Sequence, residues 1–156
     1  MAVITQTFIG FLWVVCAGAL SDFVGRKNMY MIGAAFMGIF GFIYFAMLNT
    51  GIPWVIFIAI AISLVPVMTQ YGPEAALIAE SFSPRLRYSG TSVGYQLASI
   101  IAGGPSPIVS TWLFATYHSS IPIAIYILVM AIIGIIATAM LMDYTGKDIS
   151  AEYAGV

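Results

Sequence analysis

Charge is what this sequence lacks most. Its 156 residues hold five Lys or Arg and six Asp or Glu, so 7% are charged and 62% hydrophobic. A soluble domain carries roughly 25% charged residues, and a chain with so few cannot cover a surface that faces water. A mean hydropathy of +1.03 points the same way, so the chain reads as an integral membrane protein. The formal net charge of -1 excludes the basic face that nucleic acid requires. A single cysteine, Cys16, can make no internal disulfide and reads as a small packing residue. With His118 the one histidine, no Cys/His cluster offers a metal site, and no cofactor is expected. An enzyme embedded in a membrane would need a His/Asp/Glu cluster or a Ser with its base at bilayer depth, and neither is present. No Lys or Arg precedes Arg26, so the opening apolar run lacks the basic flank of a signal peptide. It reads as a spanning helix whose upstream flank is missing.

What the chain does have is long apolar runs. A spanning helix needs roughly 20 mostly apolar residues. Residues 1–20 form one such run, ended by Ser21-Asp22. Residues 28–73 hold no charge, which is enough for two spans, with Asn49-Thr50-Gly51-Ile52-Pro53 as the turn between them. Residues 88–142 again lack Asp, Glu, Lys and Arg, and His118-Ser119-Ser120 before Pro122 divides them. The expected fold is all-α and membrane-integral, with five helices near 1–20, 29–48, 54–80, 88–117 and 121–142, then a cytoplasmic tail over 143–156. Gly103-Gly104-Pro105-Ser106-Pro107 should kink the fourth helix and Pro66 should bend the third. Such breaks survive in a bilayer only where protein or a wet cavity satisfies the freed backbone groups.

The few bases settle an orientation. Arg26, Lys27, Arg85, Arg87 and Lys147 all fall on one side if the five helices alternate, and the turns at 49–53 and 118–120 carry none. The positive-inside rule makes the basic side cytoplasmic, with Met1 outside and the C-terminus inside.

Two loops carry the most specific pattern. The first reads Gly18-Ala19-Leu20-Ser21-Asp22-Phe23-Val24-Gly25-Arg26-Lys27. Gly18 permits close helix approach and Gly25 a tight turn. Asp22 is expected to accept backbone N–H groups at a helix N-terminus, and Arg26 and Lys27 to bridge to acids on neighbouring loops. This loop resembles the G-x-x-x-D-x-x-G-R-K/R signature of the major facilitator superfamily, which occurs after helix 2 and in weaker copies after helix 8 of twelve. Phe23 stands where the signature has a base, as in second-half copies. The second loop runs from Tyr71-Gly72-Pro73-Glu74 through Glu80-Ser81-Phe82-Ser83-Pro84-Arg85-Leu86-Arg87-Tyr88-Ser89-Gly90 to Tyr95-Gln96. It resembles the segment between helices 10 and 11 of the metabolite:proton symporter family, as does Lys147-Asp148-Ile149-Ser150 near the end. That family carries shikimate, 2-oxoglutarate, citrate, or proline and betaine. The resemblance implies helices 8 to 12 of a carrier whose helices 1 to 7 are absent from this chain. Those helices, membrane lipid and a small-molecule metabolite are the implied partners, with a proton as the implied coupling ion.

Polar residues inside spans are the candidates for a substrate pathway, because charge and amide groups are expensive in hydrocarbon. Gln6 lies on the first helix, on one face with Gly10, Trp13 and Ala17. Ser63, Gln70, Tyr71 and Glu74 lie on the third, and Ser92, Tyr95, Gln96 and Ser99 on the fourth. The cytoplasmic motif and gate comprises Gly18, Asp22, Gly25, Arg26, Lys27, Glu80, Arg85 and Arg87, with Arg26 expected to pair with Glu80. Ala34, Gly38 and Gly41 on the second helix, and Ala131, Gly134 and Thr138 on the fifth, read as packing faces. Trp54, Trp112 and Tyr117 read as anchors at the external interface. Together these features indicate part of a secondary active transporter in the bacterial cytoplasmic (inner) membrane, coupling protons to uptake of a small organic acid or zwitterionic metabolite. The alternative is a small membrane assembly or accessory protein that transports nothing.

Overall fold

A computed structural model describes residues 1–83 and 85–142; the expected tail with Lys147 and the Lys147-Asp148-Ile149-Ser150 segment lie outside them. The described residues form α-helices and one π-helical turn, with no strand. Helix α1 is Ala2–Val24, α2 Arg26–Asn49, α3 Pro53–Ile62, α4 Leu64–Glu80, α5 Arg87–Ala98, α6 Pro105–Tyr117 and α7 Ile121–Met140. Helices α3 and α4 together make one membrane-length span, Pro53–Glu80. Helices α5 and α6 make another, Arg87–Tyr117, so among the described residues five spans are long and apolar enough to cross a bilayer.

The boundaries follow from local chemistry. Helix α1 continues through Ser21 and Asp22, because the Ser21 hydroxyl donates to Gly18 O at 2.6 Å and leaves the helical ladder intact. It ends at Gly25, whose φ of 98° lies in the region open to glycine. The third span breaks at Ser63, between α3 and α4. Pro66 has no N–H for the carbonyl four residues earlier, Ile62, and Ser63 N turns to Ile60 O at 3.1 Å. In the fourth span the discontinuity is a π-helical turn over Ser99–Gly103, closed by Gly104 N donating to Ser99 O at 3.2 Å. Pro105 then opens α6. His118 ends α6 in the left-handed region, with φ of 48°.

Packing rests on small residues. Helix α2 sits between α4 and α7, and α4 sits between α1 and α2. A Cβ on Gly33 would come 2.8 Å from the backbone N of Gln70, and one on Gly72 would come 2.8 Å from that of Gly18. Gly38 faces Leu128 and Ala131 of α7, and Gly41 faces Ile127. Among the described residues α2 is the most enclosed helix, with six residues buried. The span formed by α5 and α6 is the opposite case. It touches only its neighbours in sequence, α4 at one end and α7 at the other, and none of its residues is buried. Cys16 is exposed on α1 rather than packed, and Trp54, Trp112 and Tyr117 are exposed.

Candidate functional site

One end of the bundle gathers the basic loops. Arg26, at the start of α2, pairs with Glu80 at the end of α4 and with Asp22 one turn back in α1, the latter at 3.0 Å. Asp22 thus lies inside α1 and accepts from a guanidinium, where a role at a helix N-terminus was expected. Glu80 is the more enclosed partner, its side chain 11% exposed against 28% for Arg26. Lys27 caps the end of α7, its Nζ donating to Ala139 O and Leu141 O, each at 2.7 Å. That complements the negative end of the helix dipole. Arg87 Nε donates to Ala79 O at 3.1 Å, Arg85 is exposed, and neither pairs with Glu80 among the described residues. Oε2 of Glu80 and Nη2 of Arg87 are buried without a partner, so the cluster has capacity for a further hydrogen bond. Gly18 and Gly25 provide the close α1–α4 approach and the turn that bring these loops together. At the opposite end Asn49 Nδ2 donates to Ser120 Oγ at 3.2 Å.

The polar residues inside the spans divide into two groups. Gln6 Nε2 donates to Ser63 Oγ at 2.8 Å, and Ser63 in turn donates to Ile60 O. Gln70 Nε2 contacts Met37 Sδ at 3.2 Å, with its stem against Gly33. These three side chains lie in helix–helix contacts. The second group lines an uncovered face. Tyr71 is 52% exposed on α4, and its hydroxyl receives that of Tyr95 on α5 at 3.5 Å. Glu74, one turn beyond Tyr71, is half-buried. Ser92 and Gln96 on α5, and Ser99 at the start of the π-helical turn, are exposed beside Tyr95 at i, i+4, i+7 spacing, and Ser99 Oγ returns to Tyr95 O at 2.9 Å. Gln96 lies nine residues into α5, roughly 14 Å along its axis, which is about half the depth of a ~30 Å hydrocarbon layer.

Two contributors were not singled out from the sequence. Thr69 receives the Trp13 indole N–H at 2.8 Å, a second polar tie between α1 and α4. Tyr30 of α2 lies within electrostatic reach of Glu74. A lone Thr in an apolar run bonds its own helix, as Thr69 also does to Val65 O, so nothing in the sequence distinguished it. Among the described residues no group of three His, Cys, Asp or Glu could hold a metal.

This arrangement of glycine-packed spans, charge-linked loops and an open polar face agrees with a family comparison. A family model described as "Sugar (and other) transporter" matches residues 1–148. The chain belongs to that family, within the major facilitator superfamily. The shikimate transporter of Escherichia coli (strain K12) is 31% identical to this family member over 137 residues, covering 85% of this chain and 31% of that protein. The inner membrane metabolite transport protein YhjE of the same strain is 30% identical over 138 residues, covering 87% and 31%. A Staphylococcus aureus (strain COL) protein, described as a candidate proline/betaine transporter, is 28% identical over 140 residues, covering 89% and 30%. The chain spans about a third of the length of the curated relatives it matches. No solved structure matches it.

Proposed function

We propose that this chain forms helices 8 to 12, in the C-terminal half, of a proton-coupled symporter in the bacterial cytoplasmic membrane. Its solute is a small organic acid or zwitterionic metabolite. The observation that carries this is the open face, where Tyr71 of α4, one turn from Glu74, meets Tyr95 of α5, beside the exposed Ser92 and Gln96 of α5 and Ser99 of the π-helical turn. Carriers of this superfamily hold solute near the bilayer midplane between two helical halves, and such a face supplies one wall. The Arg26–Glu80 pair suits a latch on the basic, cytoplasmic side, which closes when the halves rock outward-open. Relatives named for shikimate and metabolite transport support the class of solute.

The test joins this chain to upstream helices from the shikimate transporter and reconstitutes the pair in vesicles with an imposed proton gradient. Uptake is measured for shikimate, 2-oxoglutarate, citrate, proline and betaine. The expected result is saturable uptake of at least one, abolished by a protonophore and reduced about ten-fold by Gln96→Ala, which corresponds to ~1.4 kcal/mol. Uptake that ignores the gradient removes the symport. A correctly inserted pair that takes up none of the five removes the carrier reading in favour of an accessory protein.

A further inference from the structure

The geometry points to a subsite for a positively charged nitrogen at the corner formed by Tyr71, Glu74 and Tyr95, so that the solute is an amine, a quaternary ammonium or a zwitterion rather than a dicarboxylate. This rests on the carrier reading above and names which chemistry its open face accepts. Glu74 is half-buried, yet among the described residues it accepts no hydrogen bond and joins no ion pair. Isolated carboxylates are costly to take out of water, and spans keep them where a partner or ligand supplies the opposite charge. Among the described residues the bases are engaged elsewhere or lie in the loop. Arg26 serves Asp22 and Glu80, Lys27 serves two carbonyls of α7, Arg87 serves Ala79 O, and Arg85 lies in the loop.

What surrounds Glu74 is aromatic. Tyr71 precedes it by one turn, Tyr95 of α5 is joined hydroxyl to hydroxyl with Tyr71, and both Tyr95 and Tyr30 of α2 lie within electrostatic reach of Glu74. A carboxylate flanked by tyrosine rings is the complement of an ammonium group, which is drawn both to the negative charge and to the ring faces. No Lys or Arg occurs within 28–73 or 88–142, so a dicarboxylate on this wall would meet Glu74 and no counter-charge.

All three side chains of the corner belong to this chain, so binding can be read on the whole chain in lipid nanodiscs, loaded at one copy per disc so that no second copy covers the face, by titration calorimetry at constant ionic strength. Tetramethylammonium chloride is the cationic probe and sodium succinate the anionic one. Saturable binding of tetramethylammonium, with none of succinate, is expected. Glu74→Gln should weaken the cation about ten-fold or more, Tyr95→Ala should weaken it by a similar factor, and Tyr95→Phe, which keeps the ring, should change it by less than about three-fold. Gly134→Ala, on an open stretch of α7, serves as the control. Should Glu74→Gln fail to fold by circular dichroism, the Tyr95→Ala and Tyr95→Phe pair still separates ring recognition from mere packing. Binding of succinate in place of the cation, binding of neither, or equal loss in Tyr95→Phe and Tyr95→Ala overturns the subsite. The vesicle uptake assay then decides the carrier reading separately.

Discussion

At Gly33 and Gly72 two helix backbones approach so closely that a single methyl group has nowhere to go. The obstructing atoms include a backbone N at 2.8 Å in both cases, so rotating a side chain aside does not clear the space. Gly33→Ala and Gly72→Ala should each destabilise the chain by about 1–3 kcal/mol, read as a lowered SDS-unfolding midpoint in mixed micelles. Gly94→Ala and Gly134→Ala, where nothing lies within 4 Å, should leave the midpoint unchanged. Equal effects at all four positions would sink this account of the packing. Charge behaves differently from volume. Removing Arg26 strands the enclosed Glu80 carboxylate, so Arg26→Ala should cost about 1–3 kcal/mol in the same assay. Combining Arg26→Glu with Glu80→Arg should recover most of the loss, and a swap no better than either single change would show that the pair contributes nothing.

At the scale of elements, the five spans place 25, 81–83, 85–86 and the end of α7 at one end of the bundle, linked by the Arg26–Glu80 and Lys27–Ala139 contacts. With Cys16 replaced by alanine, cysteines introduced at Thr50 and Ser119 should label from outside intact cells, and one at Ser83 only after the membrane is opened. Labelling of Ser83 and Ser119 from the same side would defeat the topology. The existence of these spans was legible because roughly 20 apolar residues have one stable solution in a bilayer. The break at Ser63 was harder to place, since Pro66 frees a carbonyl a turn earlier than its own position. Site partners were harder still. Gln6 announces that it needs a hydrogen-bond partner, but only the fold shows that Ser63, 57 residues on, supplies it. The polar stripe on α5 was visible as a pattern, whereas its contact with Tyr71 depends on how α4 and α5 pack together.

For the molecule as a whole, the span built from α5 and α6 sets the next problem. It has no buried residue and leaves Ser92, Gln96 and Ser99 on a face that none of the described residues covers. Hydroxyls can bond back to their own helix, as Ser99 does to Tyr95 O, but an amide at mid-span cannot satisfy all its groups that way. Leaving Gln96 against lipid costs ~2–7 kcal/mol per unpaired group, which exceeds the ~0.6–2 kcal/mol gained by a typical hydrogen bond between membrane helices. The polar face should therefore find a cover. When the chain is expressed alone, the available cover is the same face of a second copy. A cysteine at Gln96, in the Cys16→Ala background, should then form a disulfide-linked dimer under mild oxidation, and one at Gly134 on α7 should not. Co-expression with the upstream helices of the shikimate transporter should suppress the Gln96 cross-link by about ten-fold, matching the ~1.4 kcal/mol or more by which the intended wall must outcompete self-pairing. A cross-link at Gly134 as strong as that at Gln96 would mean that association follows general apolar contact and not the polar face. Persistence of the Gln96 cross-link beside the upstream helices would mean that the face is built for a second copy of this chain instead of the opposing wall of a carrier.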